Sequence, residues 1–497
     1  MINSNIARGA IVSYISIFLN IALLFFYTPW MIKQIGVSNY GLYNLVISFI
    51  SYFIMDFGLG TALSRFISKY RAEGDLKKVE NILGLTERLY LVIDAILLII
   101  FFICYCFITS IFGGLTREEI EILKVLFLIA GGFGILTFTL RPIDGAMVAF
   151  EYFVPNKFID MVNKIGAIIL IIIALLLGGD VYVMVLINGI MAFVTSLLKY
   201  CIWLNKSKLK INFRYFDKEE AKSIFFFSSW IFTQSMADRF RISLIPTVLG
   251  IFSNSNEIAL FGLAMSIESM LWTLSSALNG LFLPKVSKLV YNGDKREIMS
   301  LMIRVGRIQL FITLFIISAF FVGGTSFIRL WVGSQFNSSF YIVLCLSVTY
   351  LIANTMRIAS DMVYAQNKVK YTAKVIFSTS LLGLMGSVMV ASRFGAIGCA
   401  CCSGVALIIT QIGYLRIYKN VFSVDIAKFF RECHGKILIK LIPVVLTYFL
   451  LVKFWGMGSW LELAAGTITY TFIYFVVSYF FLFNEEEKRL VCNLIKK

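Results

Sequence analysis

Leu89–Phe112 reads LYLVIDAILLIIFFICYCFITSIF, 24 residues with one charge, Asp94. At about 1.5 Å rise per residue, roughly 20 apolar residues cross a bilayer core of about 30 Å. No water reaches that core, so every backbone N–H and C=O must be satisfied inside the segment, which makes it a helix. Ile11–Ile32 has the same character, and the pattern recurs along the chain. Overall 59% of the residues are hydrophobic and only 15% are charged. A water-soluble domain of this length needs far more polar surface.

Working outward from Leu89–Phe112 gives fourteen expected spans. They are 10–32, 40–62, 89–112, 123–149, 161–178, 182–204, 223–250, 258–283, 308–329, 339–365, 375–392, 397–418, 441–456 and 461–483. The fold class is therefore an all-α polytopic membrane protein. The polar start, Met1–Gly9, precedes an apolar stretch too long for a signal-peptide core, so the first helix is expected to be retained. The nine cysteines are scattered and form no disulfide framework.

The formal net charge is +17. Roughly 34 of the 45 Lys and Arg fall on one side of these spans, with about six flanking the other, which is the positive-inside pattern. The basic side is then cytoplasmic. The expected location is the bacterial cytoplasmic (inner) membrane, with both termini in the cytoplasm. The excess charge belongs to topology and anionic headgroups, so nucleic acid is excluded as a partner and membrane lipids are expected ones.

An internal repeat is legible. Ser68-Lys69, Gly74-Asp75, Lys77, Val79 and Arg88 match Ser287-Lys288, Gly293-Asp294, Arg296, Ile298 and Arg307, each pair 219 positions apart. Near that offset Gly41-Leu42-Tyr43 faces Ala259-Leu260-Phe261, and Pro29 faces Pro246. Six spans separate the copies, so both enter the membrane from the same side. Two six-helix lobes related by a pseudo-two-fold along the membrane normal follow, 1–204 and 205–440. Residues 441–497 form a terminal helix pair and a cytoplasmic tail.

Catalytic residues are scarce. The one histidine, His434, lies in a basic loop and reads as solvated. Cys399 and Cys402 sit among Ala and Gly and read as helix packing rather than a redox or metal site. No phosphate-binding Gly-x-x-x-x-Gly-Lys loop is present, and neither a cofactor, a metal nor enzyme activity is expected. Coupling to an ion gradient, H+ or Na+, is the drive to consider.

Charges inside spans are costly and normally face a bundle interior or a wet cavity. Asp238, Arg239 and Arg241 lie near the middle of the seventh span, and Glu268 near the middle of the eighth. Arg141/Asp144 and Arg357/Asp361 form matching pairs in the fourth and tenth. The bland reading is mutual neutralisation, and it suits the two balanced pairs best. On the seventh span two Arg face one Asp, which calls for Glu268 or an anionic ligand. Arg239, Arg241, Glu268 and Asp238, with Arg141 and Arg357, are thus candidate cavity residues. Asp56, Asp144 and Asp361 are lobe-packing or lining charges.

Gly36-Val37-Ser38-Asn39-Tyr40-Gly41-Leu42-Tyr43, then Asp56-Phe57-Gly58-Leu59, Ala62, Arg65 and Gly74-Asp75, resemble the start of polysaccharide transporters of the Wzx O-antigen flippase type. These belong to the multidrug/oligosaccharidyl-lipid/polysaccharide exporter superfamily. The resemblance implies a flippase for an undecaprenyl-diphosphate-linked oligosaccharide in surface polysaccharide biosynthesis, rocking between inward- and outward-open states around a cationic cavity. It carries that role to Arg239 and Arg241, and to Arg141 and Arg357. A lipid-linked oligosaccharide is then the substrate, and a polysaccharide polymerase and a chain-length regulator are expected partners. The bottom-up chemistry agrees, because a diphosphate suits the planar bidentate donors of Arg.

Two alternatives stay open. A cation-coupled multidrug exporter of the same superfamily would offer acidic residues, whereas the deep charges here carry an Arg excess. A membrane polymerase or glycosyltransferase would present a large external loop, and the loops on that side are short.

Overall fold

The structure is a computed structural model and describes residues 22–53, 55, 57–207, 209–276, 282–366, 368–455, 457–485 and 487–488. Among these every regular element is helical. Ten helices are long and apolar enough to cross a membrane. One of them, Val369–Phe422, is two helices meeting at Gly395. Val37–Phe53 is shorter, at 17 residues, and Lys218–Asp238 carries charges. Fourteen spans therefore stay an expectation, and the chain is a multi-pass membrane protein. Along Leu76–Ile111, Val92, Ile99, Phe102 and Phe107 are each more than half exposed, a surface suited to lipid and not to water.

The chain forms two compact units. The first comprises residues 1–262 and 384–396, the second 263–383 and 397–497.

In the first unit α1 (22–35) leads into α2 (Val37–Phe53) and α3 (Leu59–Ala72). The expected continuous span 40–62 is broken between α2 and α3. Phe57 and Gly58 take positive φ, 52° and 77°, which ends one helix and starts another. A Cβ on Gly58 would come within 2.8 Å of the Ser228 carbonyl oxygen, so a larger residue does not fit.

Next come α4 (Leu76–Ile111), α5 (Arg117–Phe138), α6 (Pro142–Ala149), α7 (Phe153–Leu176) and α8 (Val181–Ser207). The expected span 123–149 is also two pieces. Pro142 has no N–H to donate to the preceding turn, and the chain turns at 139–141 before α6 starts at that proline. Then α9 (Lys218–Asp238), a π-helical turn Arg239–Ser243, and α10 (Leu244–Phe252) lead to α11 (Ser255–Ser275). The unit boundary falls inside α11, after Gly262.

The two copies of the Gly-Leu-aromatic repeat pack on each other. A Cβ on Gly41 would lie 2.1 Å from the Ser255 carbonyl oxygen and 3.4 Å from the Ala259 nitrogen, and Gly262 meets the Asn44 side chain. Ala259 and Gly262 are the repeat partners of Gly41 and Asn44. Glu119 ties the same helix starts together. Its Oε1 accepts from the Ser38 hydroxyl at 2.6 Å and the Ser255 hydroxyl at 2.5 Å. Its Oε2 closes the capping box with Thr116. Gly41→Val is expected to destabilise the unit by about 1–3 kcal/mol or more, because a backbone oxygen cannot swing away as a side chain would. Gly132→Ala, with nothing within 4 Å of its Cβ, should be neutral. Protein abundance and thermal midpoint of the two variants test the contrast.

The second unit holds α12 (Leu283–Asn292), α13 (Lys295–Val332), α14 (Ser339–Ser347), α15 (Tyr350–Ala353), α16 (Arg357–Ala365), most of α17 (Val369–Phe422), α18 (Ile426–Phe430), α19 (Lys436–Trp455) and α20 (Trp460–Val477). The expected span 339–365 is three pieces, α14 to α16. The basic stretches 65–88 and 285–307, which lie outside the expected spans, are largely helical.

The repeat is structurally faithful where it is best conserved. Gly74 and Gly293 take φ 77° and 73°. Gly74 and Asp75 donate their N–H to Arg71 and Tyr70; Gly293 and Asp294 donate to Val290 and Leu289, shifted by the same 219. Asp75 and Asp294 then cap α4 and α13 by accepting from Lys78 and Glu297, both at 3.0 Å. The Lys78 backbone bond, with the Lys78 side chain, holds the Asp75 carboxyl below its ordinary range.

His434 is buried, not solvated. It sits in a π-helical turn, Arg431–Gly435, with its ring 4.6 Å from that of Phe430 and its Nε2 3.3 Å from the Leu351 carbonyl. The stripe Phe429, Cys433, Ile437 and Leu441, each fully buried, carries helix through a stretch expected to be loop.

Candidate functional site

Three breaks in otherwise apolar helices carry the intramembrane arginines. Arg141 stands at the start of α6 and Arg357 at the start of α16. Each donates its backbone N–H three residues back, to Phe138 and Asn354 respectively, 216 positions apart. Arg239 and Arg241 occupy the π-helical turn after α9. Wide π turns inside α-helices often mark functional positions, and broken helices line substrate sites in transporters. The Tyr52 hydroxyl of α2 donates to the Ser243 carbonyl at the end of that turn. Both arginines are half-buried. Two residues apart on a helix is roughly 200° of rotation, so their side chains leave nearly opposite sides of it. Asp238 ends α9, and its side chain lies outside what the structure describes, as does Asp56. Glu268 is half-buried on α11, in the part belonging to the second unit.

The charge pairs differ from the expected local balance in one case. Arg357 Nε stands 3.2 Å from Asp361 Oδ1, and Asp361 is 1% exposed, so that pair is as read. Asp144 is instead held by Lys199 of α8, whose Nζ lies 2.7 Å from Asp144 Oδ1 and 2.7 Å from Asp160 Oδ1. Lys199 is 55 positions from Asp144, too far for any local spacing rule to reveal. Among the described residues Arg141 has no ion-pair partner.

Arg141 lines a cavity of about 500 Å³ in the first unit. Its other wall is α3, where Thr61, Ser64, Arg65 and Ser68 recur at the i, i+3, i+4, i+7 spacing of one helix face. Gly145 lets the two walls meet, since a Cβ there would lie 2.4 Å from the Gly60 carbonyl oxygen. The cavity is thus lined by two guanidiniums, three hydroxyls and the Asp144 carboxylate, which is ion-paired with Lys199. Arg65, Thr61, Ser64 and Ser68 were not singled out as site residues from the sequence. Their hydroxyls and charge sat in a segment read as the end of one span and the start of a basic loop. The four-residue polar stripe over 61–68 of α3 was the available signal.

Helices broken at arginines within a multi-pass helical protein are a feature of membrane transporters with discontinuous helices. Residues 6–290, more than half of the chain, match the family described as polysaccharide biosynthesis protein, and the chain belongs to that family. Its fold is similar to that of the lipid II flippase MurJ in an inward closed conformation, with TM-score 0.71 and 16% identity over 95% of this chain and 98% of that one. It is also similar to an inward-facing multidrug resistance MATE family transporter of the MOP superfamily, with TM-score 0.67 and 15% identity over 83% and 98%. A third likeness is to a MOP superfamily transporter from Pyrococcus furiosus described by a reversed polarity of its binding pocket, with TM-score 0.57 and 14% identity over 84% and 96%. The MOP fold is thereby shown, and these fold relatives are transporters and flippases rather than enzymes. No curated protein matches the chain.

Proposed function

We propose that the protein flips an undecaprenyl-diphosphate-linked oligosaccharide across the bacterial cytoplasmic membrane for surface polysaccharide assembly. The observation that carries this reading is the cavity between α3 and α6. Arg65 and Arg141 supply planar bidentate donors for a diphosphate, and Thr61, Ser64 and Ser68 supply neutral donors and acceptors. A cationic drug would meet the wrong sign of charge there. Arg239 and Arg241 in the first unit, and Glu268 and Arg357 in the second, are further residues proposed to meet the substrate. An H+ or Na+ gradient drives the cycle, and a polymerase and chain-length regulator use the product.

The test uses a strain lacking this protein and supplied with variants. Wild type should restore surface polysaccharide and clear lipid-linked oligosaccharide from the inner leaflet. Arg65→Ala with Arg141→Ala should leave the protein abundant while precursor accumulates, at least about tenfold above wild type. Arg→Lys at both should recover export partly, keeping charge and losing the fork. A double Ala variant that exports normally would defeat the reading, as would a wild-type protein that clears a cationic dye and leaves the precursor untouched.

The proposed topology puts both ends and the basic segments in the cytoplasm. A periplasm-active reporter fused after Lys497 should be silent and a cytoplasmic one active; the reverse result refutes it.

A further inference from the structure

Ser38-Asn39 recurs as Ser255-Asn256, 217 positions on, the offset that also separates Pro29 from Pro246. The two serines are therefore repeat partners, and a single carboxylate oxygen holds both. Glu119 Oε1 accepts from the Ser38 hydroxyl at 2.6 Å and from the Ser255 hydroxyl at 2.5 Å. Glu119 Oε2 has a separate task, accepting from the Thr116 N–H at 3.0 Å. The carboxylate thus stays fixed on its own helix when Oε1 lets go. Beside this clasp the copies meet backbone to backbone. The Gly114 N–H donates to the Gly250 carbonyl at 3.3 Å, and a Cβ on Gly114 would lie 2.5 Å from the Ser253 carbonyl oxygen. All these residues belong to the first unit.

Two features separate the clasp from ordinary packing. It is a polar rim: Glu119 and Ser38 are half-buried, while the layer beneath is apolar, with Leu45 and Phe112 against Gly250. Water satisfies a carboxylate and two hydroxyls when they part, so opening the rim exchanges bonds instead of losing them. The clasp is also unduplicated. The position 217 on from Glu119 is Phe336, which is fully buried. A bond needed to shape each copy would occur in both; a bond joining the copies is needed once.

We infer that Glu119 is the latch of an external closure, clasping equivalent serines of the two repeat copies and releasing Ser255 each time the protein opens outward. The inference rests on the flippase reading and its topology, in which residues 112–116 and 251–257 face outward. Glu119 is a positioning residue and touches no substrate.

The experiment uses the full-length protein in cells. The reporter is Asn44→Cys, deeper on α2 and covered by Gly262 of α11. A membrane-impermeant maleimide is added outside, and labelling is read against the same protein without the reporter. Glu119→Gln should raise the labelling rate at least about threefold at unchanged protein level, through a larger population of the open state. Ser255→Ala removes one bond, leaves the Thr116 capping box intact, and should act in the same direction; it serves alone if Glu119→Gln is not abundant. Without the reporter, Ser38→Cys with Ser255→Cys should export until copper phenanthroline joins the two thiols, stop once they are joined, and resume with dithiothreitol. Wild type given the same oxidant is the control. The latch is overturned if neither Glu119→Gln nor Ser255→Ala changes the labelling, or if the joined thiols leave export unchanged. Labelling of the reporter from the cytoplasmic side alone overturns it too. If the latch variants change the labelling while a strain lacking the protein clears its lipid-linked oligosaccharide normally, the latch stands and the flippase reading falls.

Discussion

Glu487→Ala is expected to destabilise the second unit by about 3–5 kcal/mol, the usual consequence of stripping one partner from a buried ion pair. Arg307 and Glu487 are 7% and 6% exposed. The guanidinium is fully used: Nε and Nη2 reach both oxygens of Glu487, Nη2 also reaches the Leu482 carbonyl at 2.9 Å, and Nη1 reaches the Glu432 carbonyl at 3.3 Å. Glu487 in turn accepts from the Asn484 backbone at 2.8 Å, while Asn484 accepts from the Glu487 backbone at 2.9 Å. One ion pair therefore ties α13, the turn after α18 and the 482–487 segment beyond α20. Removing the carboxylate leaves a buried cation with two carbonyls and no counter-charge. Replacing both partners by methionine removes the charge as well as the pair, and should recover most of the loss. Thermal unfolding of the purified protein in detergent, with protein abundance in membranes, reads both. A Glu487→Ala variant within about 1 kcal/mol of wild type would mean that the pair is solvated.

The apolar blocks made the membrane class and the helical fold readable, because no other structure satisfies a backbone in lipid. The 219-residue repeat was readable because Gly74-Asp75 and Gly293-Asp294 each serve one geometry, a left-handed glycine ending one helix and an aspartate capping the next. The same residues also announced that the basic stretches are helical, a signal that the positive-inside count hid. The breaks were harder. Hydropathy averages over about 19 residues and does not register a positive φ at Phe57 and Gly58. Pro142, which lacks an N–H for the helix ladder, gave notice of the break beside Arg141. Nothing comparable precedes Arg357, where Asn354 and Thr355 are the only polar hint. His434 was misplaced because its basic neighbours outweighed the four-residue stripe of Phe429, Cys433, Ile437 and Leu441.

At the candidate site, the sequence put the arginines inside expected spans and could not give all their partners. Within one helix the Arg357–Asp361 pair follows from an i, i+4 separation. The capture of Asp144 by Lys199 depends on how α6 lies on α8, a tertiary fact. That capture changes the chemistry: with Asp144 spent elsewhere, the α3–α6 cavity keeps the charge of Arg141 instead of cancelling it.

Arg239→Ala and Arg241→Ala should each reduce glycan export by more than about tenfold while the protein stays inserted and abundant. An arginine near mid-bilayer costs about 2.5–3.5 kcal/mol by insertion scales, so a chain that keeps two in one π turn gains something for them. If that gain were packing alone, replacing either by alanine would lower export only in proportion to protein level. If it is charge presented to a diphosphate, export falls at unchanged protein level, and Arg→Lys recovers part of it through charge without the bidentate fork. The two side chains leave nearly opposite sides of the turn, so their losses should not be interchangeable. The one nearer the substrate path should show the larger drop and the weaker lysine rescue. Tyr52→Phe supplies the positional control. It deletes the hydroxyl that holds Ser243 and leaves both charges in place, so a turn that must be held in register predicts a partial export loss there too. Export normalised to protein level across the five variants separates the readings, and equal, level-proportional losses in all of them would defeat the proposed role of both arginines.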